Sequence, residues 1–220
     1  MAALRDEQLY LVTGPVPGSW AEVLRRVEAA VAAGVRVVQY REKSAPALEM
    51  AAQLRQLLSL CRPRGARVLV NDRLDVALAA GADGVHLGED DLPWTDARRL
   101  GPRPFLLGCS VSSAESAARA IAAGADYVGL GPAYRTATKA DAGEPIALEL
   151  ITRIAEMCHA PGVRIPLVAI GGIGPGLAAP LVKAGADAVA VIAAVMQAPD
   201  PAAAARGLLD EVAEARRWRP

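Results

Sequence analysis

The sequence predicts an α/β fold of eight alternating strands and helices, and an internal repeat provides the first observation. The phrase GADGVHLG begins at Gly81, GADYVGLG at Gly124 and GADAVAVI at Gly185, and a looser copy, GVRVVQY, begins at Gly34. An alanine-rich helical stretch precedes each glycine, which suits the left-handed position that ends a helix. The strand that follows is apolar on both sides, as expected for a parallel strand covered by helices.

The spacing of the copies is the second observation. They lie 47, 43 and 61 residues apart (34 to 81, 81 to 124 and 124 to 185), whereas one strand–helix unit takes roughly 20 to 30 residues. The copies are therefore every second unit, and other apolar stretches supply the remaining strands. These are LYLVT near Leu9, RVLVN near Arg67, FLLGC near Phe105 and PLVAI near Pro166.

Eight evenly distributed strands predict a (β/α)8 TIM barrel that forms a single domain over residues 1–220. A doubly wound open sheet is the structural alternative, but it does not predict this even distribution. Capping patterns predict the starts of three helices. They are Ser19 with Glu22, Ser112 with Glu115, and Asp200 before Pro201.

Composition and charge exclude several classes of function. The 24 basic and 24 acidic residues balance, and nucleic-acid binding would need a basic excess. The longest apolar run, Ala188–Met196, is about half a membrane span, and the first residues show no secretory signal. Cys61, Cys109 and Cys158 form an odd, widely spaced set that predicts reduced core residues in a cytoplasmic protein rather than a metal site.

Polar residues follow the predicted strands, and the carboxyl ends of the strands form the active site of such a barrel. The residues at these ends are Gln39, Arg41 and Lys43 after strand two, Asn71 and Asp72 after strand three, His86, Glu89, Asp90 and Asp91 after strand four, Ser110 after strand five, Thr136, Thr138 and Lys139 after strand six, Gly171–Gly174 after strand seven, and Ile192 and Ala193 after strand eight.

These residue types predict two sites for anions. Arg41 and Lys43 suit phosphate, and Asp72 and Asp91 follow adjacent strands, where their oxygen atoms would suit Mg²⁺. This first site fits a diphosphate. The second is mostly backbone, formed by the glycines after strand seven and the residues beyond strand eight, and it fits a monophosphate.

Each residue also has a simpler interpretation. Arg41, Lys43, Lys139, Glu89 and Asp90 could be solvated loop charges. Asn71 and Asp72 could cap the helix near Leu74, His86 could be a satisfied histidine inside the barrel, and Ser112 could be an N-cap. Ser110 has no evident histidine base to make it a nucleophile. The simpler interpretations fail jointly, because chance does not bring all these groups to one rim.

The order of the motifs resembles the thiamine phosphate synthase family along nearly the whole chain. The matching motifs are QYREK, VNDRLDVALAAGADGVHLGEDDLP, LGCS, GADYVGLGPAYRTATK and PLVAIGGI. The resemblance implies a transferase that joins hydroxymethylpyrimidine diphosphate to hydroxyethylthiazole phosphate and releases pyrophosphate. Its partners are thus small molecules, with neither nucleic acid nor membrane, and a homodimer stays open.

The resemblance also implies residue roles. The diphosphate would be held by Arg41, Lys43, Asn71, Ser110, Thr138 and Lys139, of which Arg41, Lys43, Ser110 and Lys139 are the predicted catalytic residues. Asp72 and Asp91 would bind the cofactor Mg²⁺, and Gln39 would touch the pyrimidine. The thiazole phosphate would be held by Thr136 and by the backbone at Gly172, Ile192 and Ala193.

Two positions depart from the family pattern. Ala193 stands where the family usually has serine, and Ser112 where it often has histidine. The related thiazole tautomerases use a histidine at the second position and usually lack the full diphosphate and metal set. The synthase is therefore favoured over a tautomerase, and over a non-catalytic phosphate-ligand sensor built on the same barrel.

Overall fold

Eight parallel strands close into a barrel in chain order, which confirms the predicted TIM barrel. The structure is a computed structural model that describes residues 4, 6–14, 18–136 and 143–218. The strands are β1 (Leu9–Val12), β2 (Val37–Tyr40), β3 (Arg67–Asn71), β4 (Gly84–Leu87), β5 (Leu106–Val111), β6 (Tyr127–Leu130), β7 (Leu167–Ile170) and β8 (Ala188–Val191). The barrel closes where Leu9 of β1 pairs with Val189 of β8.

Helices alternate with the strands and cover the barrel. They are α1 (Trp20–Ala32), α2 (Ala47–Cys61), α3 (Leu74–Ala80), α4 (Trp94–Leu100), α5 (Ala114–Ala122), α6 (Leu148–His159), α7 (Ala178–Lys183), α8 (Ala193–Met196) and α9 (Pro201–Arg217), with a 3₁₀ turn at Arg62–Arg64. None of the helices in the described part of the chain has both the length and the apolar composition that a membrane crossing needs.

The core has two layers, because successive side chains of a strand point to opposite faces. One layer fills the barrel and includes Tyr10, Leu69, Leu106, Tyr127 and Val168. The other, larger layer lies between the strands and the helices. On each strand, the residue two positions beyond an inward core residue also faces the interior, and this rule places the polar side chains at the mouth of the barrel.

Two of the three predicted helix starts are confirmed. The Ser19 hydroxyl accepts from the Glu22 N–H, and the Asp200 carboxylate accepts from the Ala203 N–H. The third prediction is wrong by one residue. Ser113, not Ser112, caps α5 and forms a capping box with Ser116, because the hydroxyl of Ser112 donates instead to Glu89, at 2.5 Å.

The aspartate of the GAD repeat has a structural role at the amino-terminal end of the barrel. Asp83 accepts from the Val68 N–H at 2.7 Å, Asp126 from the Leu107 N–H at 2.8 Å, and Asp187 from the Leu167 N–H at 2.8 Å. Each carboxylate thus satisfies an N–H group at the start of the preceding strand of the barrel. Asp126 also forms an ion pair with Arg98 in which both side chains are only 15% exposed.

Removing this carboxylate should weaken the fold. We expect Asp126→Ala to lower the free energy of unfolding by about 3 kcal/mol, because Arg98 loses its partner in a largely buried site. Urea denaturation measures the effect. The control is Asp96→Ala, which removes an exposed pair with Arg99 and should cost at most about 1 kcal/mol. Equal losses in the two variants would contradict the structural role of the repeat.

Candidate active site

Four polar side chains lie in the interior where β2 to β5 end. Gln39 and Asn71 are buried, with 7% and 8% of their surface exposed, and His86 and Ser110 are partly exposed. Asn71 pairs in register with His86, and Ser110 with Gly129. The barrel therefore brings together four residues that the sequence predicted at separate strand ends.

Two carboxylates and one ammonium group meet beside these residues. Lys43 Nζ lies 2.5 Å from Asp72 Oδ2, and Asp91 accepts from the Gly88 N–H at 2.7 Å. Burial raises the pKa of Asp91, and the charge of Asp72 and a hydrogen bond with that side chain raise it further. Asp72 is thus close enough to disfavour the ionisation of Asp91.

The backbone at Asp72 holds this carboxylate in place. Its φ is 63°, a left-handed conformation that aspartate and asparagine tolerate better than most residues. Its N–H donates to the His86 carbonyl at 2.8 Å, which ties the end of β3 to β4. Helix α3 begins after Arg73 without a side-chain cap, so the capping interpretation of Asn71 and Asp72 is wrong.

The loop after β2 carries the predicted cations, and hydrogen bonds to Thr13 and within the loop hold it. The Arg41 N–H donates to the Thr13 hydroxyl at 3.0 Å, and the Thr13 N–H donates to the Gln39 carbonyl. The Glu42 carboxylate accepts from the N–H and the hydroxyl of Ser44, at 2.7 and 2.8 Å. These hydrogen bonds lower the pKa of Glu42, with the largest effect from the Ser44 N–H, and keep its carboxylate ionised.

His86 forms part of the floor of the site. Its Nδ1 lies 2.7 Å from the Tyr127 hydroxyl and its Nε2 lies 2.8 Å from Ser110 Oγ. Burial lowers the pKa of His86 to about 4, against a smaller opposing effect of Asp72, so the imidazole is neutral at pH 7. The interpretation of His86 as a satisfied interior histidine is confirmed.

The second predicted anion site faces the loop after β6. A Cβ on Gly171 would lie 2.7 Å from Pro132, and one on Gly172 would lie 2.6 Å from the Arg135 carbonyl oxygen. Both glycines have positive φ, so a side chain is excluded at both positions. Thr136 belongs to the described part of this loop, whereas Thr138 and Lys139 lie outside the described residues.

Beyond β8, the short helix α8 begins at Ala193, and Ile192 is its N-cap residue. The N–H groups in the first turn of a helix have no acceptor within it. This backbone therefore offers donors at the position where the sequence predicted a monophosphate. Both residues are partly exposed.

Three other charges do not face this centre. Arg135 is exposed and pairs with Glu144 at 3.4 Å. Glu89 accepts from Ser112 and lies 2.8 Å from Arg119 of α5, so it joins the loop after β4 to that helix. Asp90 is exposed.

Comparison with known proteins decides the family. Residues 9–195 match thiamine monophosphate synthase. The chain belongs to this family. The thiamine-phosphate synthase of Methanospirillum hungatei is 46% identical over 205 residues, which cover 93% of this chain and 97% of that protein.

Two further relatives are similar to this chain over most of its length. The thiamine biosynthesis bifunctional protein ThiM/ThiE of Symbiobacterium thermophilum is 49% identical over 94% of this chain, which spans 41% of that longer protein. The solved structure of thiamine phosphate pyrophosphorylase from Pyrococcus furiosus superposes with a TM-score of 0.82 at 37% identity, and the match covers 96% of this chain and 98% of that one. This superposition along nearly the whole chain agrees with the fold described above.

Two contact residues of the site were not predicted from the sequence. Thr13 supports Arg41, and Tyr127 supports His86. The glycines at positions 108 and 129 are the sequence signal that could have indicated a large ring such as Tyr127 in the barrel interior. A Cβ on Gly108 would lie 2.2 Å from the Tyr127 ring, and one on Gly129 would lie 3.2 Å from His86.

The depressed pKa of His86 predicts a pH-dependent stability. His86 takes up a proton near pH 6.5 in the unfolded chain but only near pH 4 in the folded protein, so the unfolded state binds more protons between these values. The free energy of unfolding should therefore fall as the pH falls through this window, by about 3 kcal/mol in total from this residue. Urea denaturation between pH 7 and pH 4 should show this extra loss in wild type relative to His86→Gln. Parallel curves for the two proteins would contradict it.

Proposed function

We propose that this chain is a thiamine phosphate synthase, a transferase that condenses hydroxymethylpyrimidine diphosphate with hydroxyethylthiazole phosphate. The observation that carries the proposal is the cluster of Lys43, Asp72 and Asp91 at the mouth of a barrel that belongs to this family. A diphosphate leaving group needs compensating positive charge, and this mouth offers fixed cations beside a pair of carboxylates.

The reaction requires little from the protein in proton transfer. The bond between the exocyclic carbon of the pyrimidine and the diphosphate oxygen breaks, and its electron pair leaves with pyrophosphate. The lone pair of the thiazole nitrogen then forms the new carbon–nitrogen bond. Arg41 and Lys43 would stabilise the charge that grows on the leaving group. The neutral, fully partnered His86 suits a mechanism without a strong general base.

The remaining roles are those that the family resemblance implies. Asn71 and Ser110 would donate to the diphosphate, together with Thr138 and Lys139, and Gln39 would face the pyrimidine. Gly172, Ile192 and Ala193 would present backbone groups to the thiazole phosphate, with Thr136 beside them. Two phosphate-bearing substrates would thus meet across the mouth of the barrel, with the pyrimidine above the inward layer of β2 to β5.

The carboxylates fit a divalent cation. Asp72 and Asp91 approach each other closely enough to raise the pKa of Asp91, and a hard cation between them would relieve this repulsion. Within the described residues no third His, Cys, Asp or Glu completes a metal cluster. Mg²⁺ is commonly bound by one or two carboxylates together with water and substrate phosphate oxygen atoms. When bound, Mg²⁺ would supply positive charge beside the departing pyrophosphate.

We also propose a cytoplasmic location. Both proposed substrates are phosphorylated, and Cys61, Cys109 and Cys158 are buried, free thiols. Burial raises the pKa of each thiol to about 12, so these residues are inert core groups. Free thiols of this kind are typical of a reducing compartment.

A two-substrate assay tests the proposed activity. The purified protein, with both phosphorylated precursors and Mg²⁺, should form thiamine phosphate and pyrophosphate in equal amounts. Folded protein that forms neither product would refute the proposal. A parallel reaction with the thiazole carboxylate phosphate tautomer in EDTA should show no turnover, and turnover there would indicate a tautomerase instead.

Substitution of one carboxylate tests the metal assignment. We expect Asp72→Asn to lower kcat about 100-fold, because it removes one of two charges that would hold the cation near the leaving group. Asparagine tolerates the left-handed backbone at this position, so the loop should keep its shape. The measurement is kcat as a function of Mg²⁺ concentration.

Asp90→Asn is the matched control for this substitution. It removes an exposed carboxylate next to Asp91 and should leave both kcat and the Mg²⁺ requirement unchanged. An Asp72→Asn enzyme with the wild-type kcat at saturating Mg²⁺ would refute the assignment of Asp72 as a ligand.

A further inference from the structure

A line of hydrogen-bonding side chains crosses the barrel interior beneath the proposed substrate site. Ser110 Oγ lies 2.8 Å from His86 Nε2, and His86 Nδ1 lies 2.7 Å from the Tyr127 hydroxyl. Burial raises the pKa of this hydroxyl, and the nearby Gln39 side chain opposes the rise. The line therefore joins Ser110, which has a proposed substrate contact, to His86 and Tyr127, which have none.

Packing holds the middle of this line in one arrangement. The Tyr127 ring is 2% exposed. It stacks on His86 with ring centroids 5.4 Å apart. On its other side it meets Tyr10, with centroids 5.3 Å apart and the two ring planes tilted by 55°. Gly108 and Gly129 leave the space that these rings occupy, since a Cβ would lie 2.2 Å from the Tyr127 ring at Gly108 and 3.2 Å from His86 at Gly129.

The chemistry of the partners sets the direction of the hydrogen bonds. The buried Tyr127 O–H must find an acceptor. His86 Nδ1 is that acceptor, so the single proton of the neutral ring lies on Nε2 and is donated to Ser110 Oγ.

We propose that Tyr127 and His86 are positioning residues that orient Ser110 for the pyrimidine diphosphate. Ser110 Oγ accepts from His86, which leaves its own hydrogen to be donated to the diphosphate. The proposal rests on the substrate contact proposed above for Ser110.

The position of the proton on His86 is the first test, by nitrogen-15 NMR of histidine-labelled protein. The chain contains two histidines, and the other, His159, pairs with Asp187 at 2.7 Å at the amino-terminal end of the barrel. In a His159→Gln background the remaining signal should be that of a neutral ring with the proton on Nε2. Tyr127→Phe should convert it to a mixture of tautomers. A proton on Nδ1 in the unsubstituted site would overturn the proposal.

Steady-state kinetics are the second test. We expect Tyr127→Phe to raise KM for the pyrimidine diphosphate about tenfold, the effect of misdirecting one or two hydrogen bonds, while KM for the thiazole phosphate stays unchanged. In a double variant with Ser110→Ala, Tyr127→Phe should raise this KM by a smaller factor than it does alone, because the two residues act through one contact.

Tyr10→Phe is the matched control. Its hydroxyl is buried next to Tyr127 and has no hydrogen-bond partner among the described residues, so its removal should leave both KM values unchanged. If Tyr127→Phe behaves like Tyr10→Phe while Ser110→Ala and Gln39→Ala impair binding, the positioning proposal is wrong and the substrate contacts stand. If none of these variants changes KM for the pyrimidine diphosphate, the proposed contacts themselves are wrong.

Discussion

The two-residue period of strands in a closed barrel is the constraint on which the rest of the structure depends. In β5, Leu106 fills the interior, Gly108 makes room for Tyr127, and Ser110 reaches the mouth. The same alternation places Gln39 above Val37 and Asn71 above Leu69. A shift of one residue in the register of any strand would turn its polar residue toward the helices, so the core that fills the barrel also sets the geometry of the site.

The two ends of the barrel use carboxylates for opposite purposes. At the amino-terminal end, Asp83 and Asp126 accept from strand N–H groups and pair with arginines, so their charge is compensated. At the carboxyl end, Asp72 and Asp91 repel each other beside Lys43, and their charge is only partly compensated. This contrast agrees with the general rule that stability lies at one end of such a barrel and chemistry at the other.

The fold and the strand ends could be predicted from the sequence because both depend on local periodicity. The GAD repeat marked alternate units, and each strand was found close to its predicted place. Contacts across the barrel could not be predicted, since Tyr127 meets His86 and Thr13 meets Arg41 only after closure. The cap of α5 moved from Ser112 to Ser113 for a similar reason, because Glu89 from a distant loop attracts the Ser112 hydroxyl. Thr138 and Lys139 stay predictions.

The central claim is that one mouth of the barrel binds a diphosphate and a divalent cation together. A crystal structure of the protein with pyrophosphate and Mn²⁺, recorded at a wavelength where manganese scatters anomalously, tests it most directly. The account predicts an anomalous peak bonded to Asp72 and Asp91, with pyrophosphate oxygen atoms on the same ion and in contact with Arg41, Lys43 and Ser110. Pyrophosphate bound away from this cluster, or manganese bound without either aspartate, would contradict it.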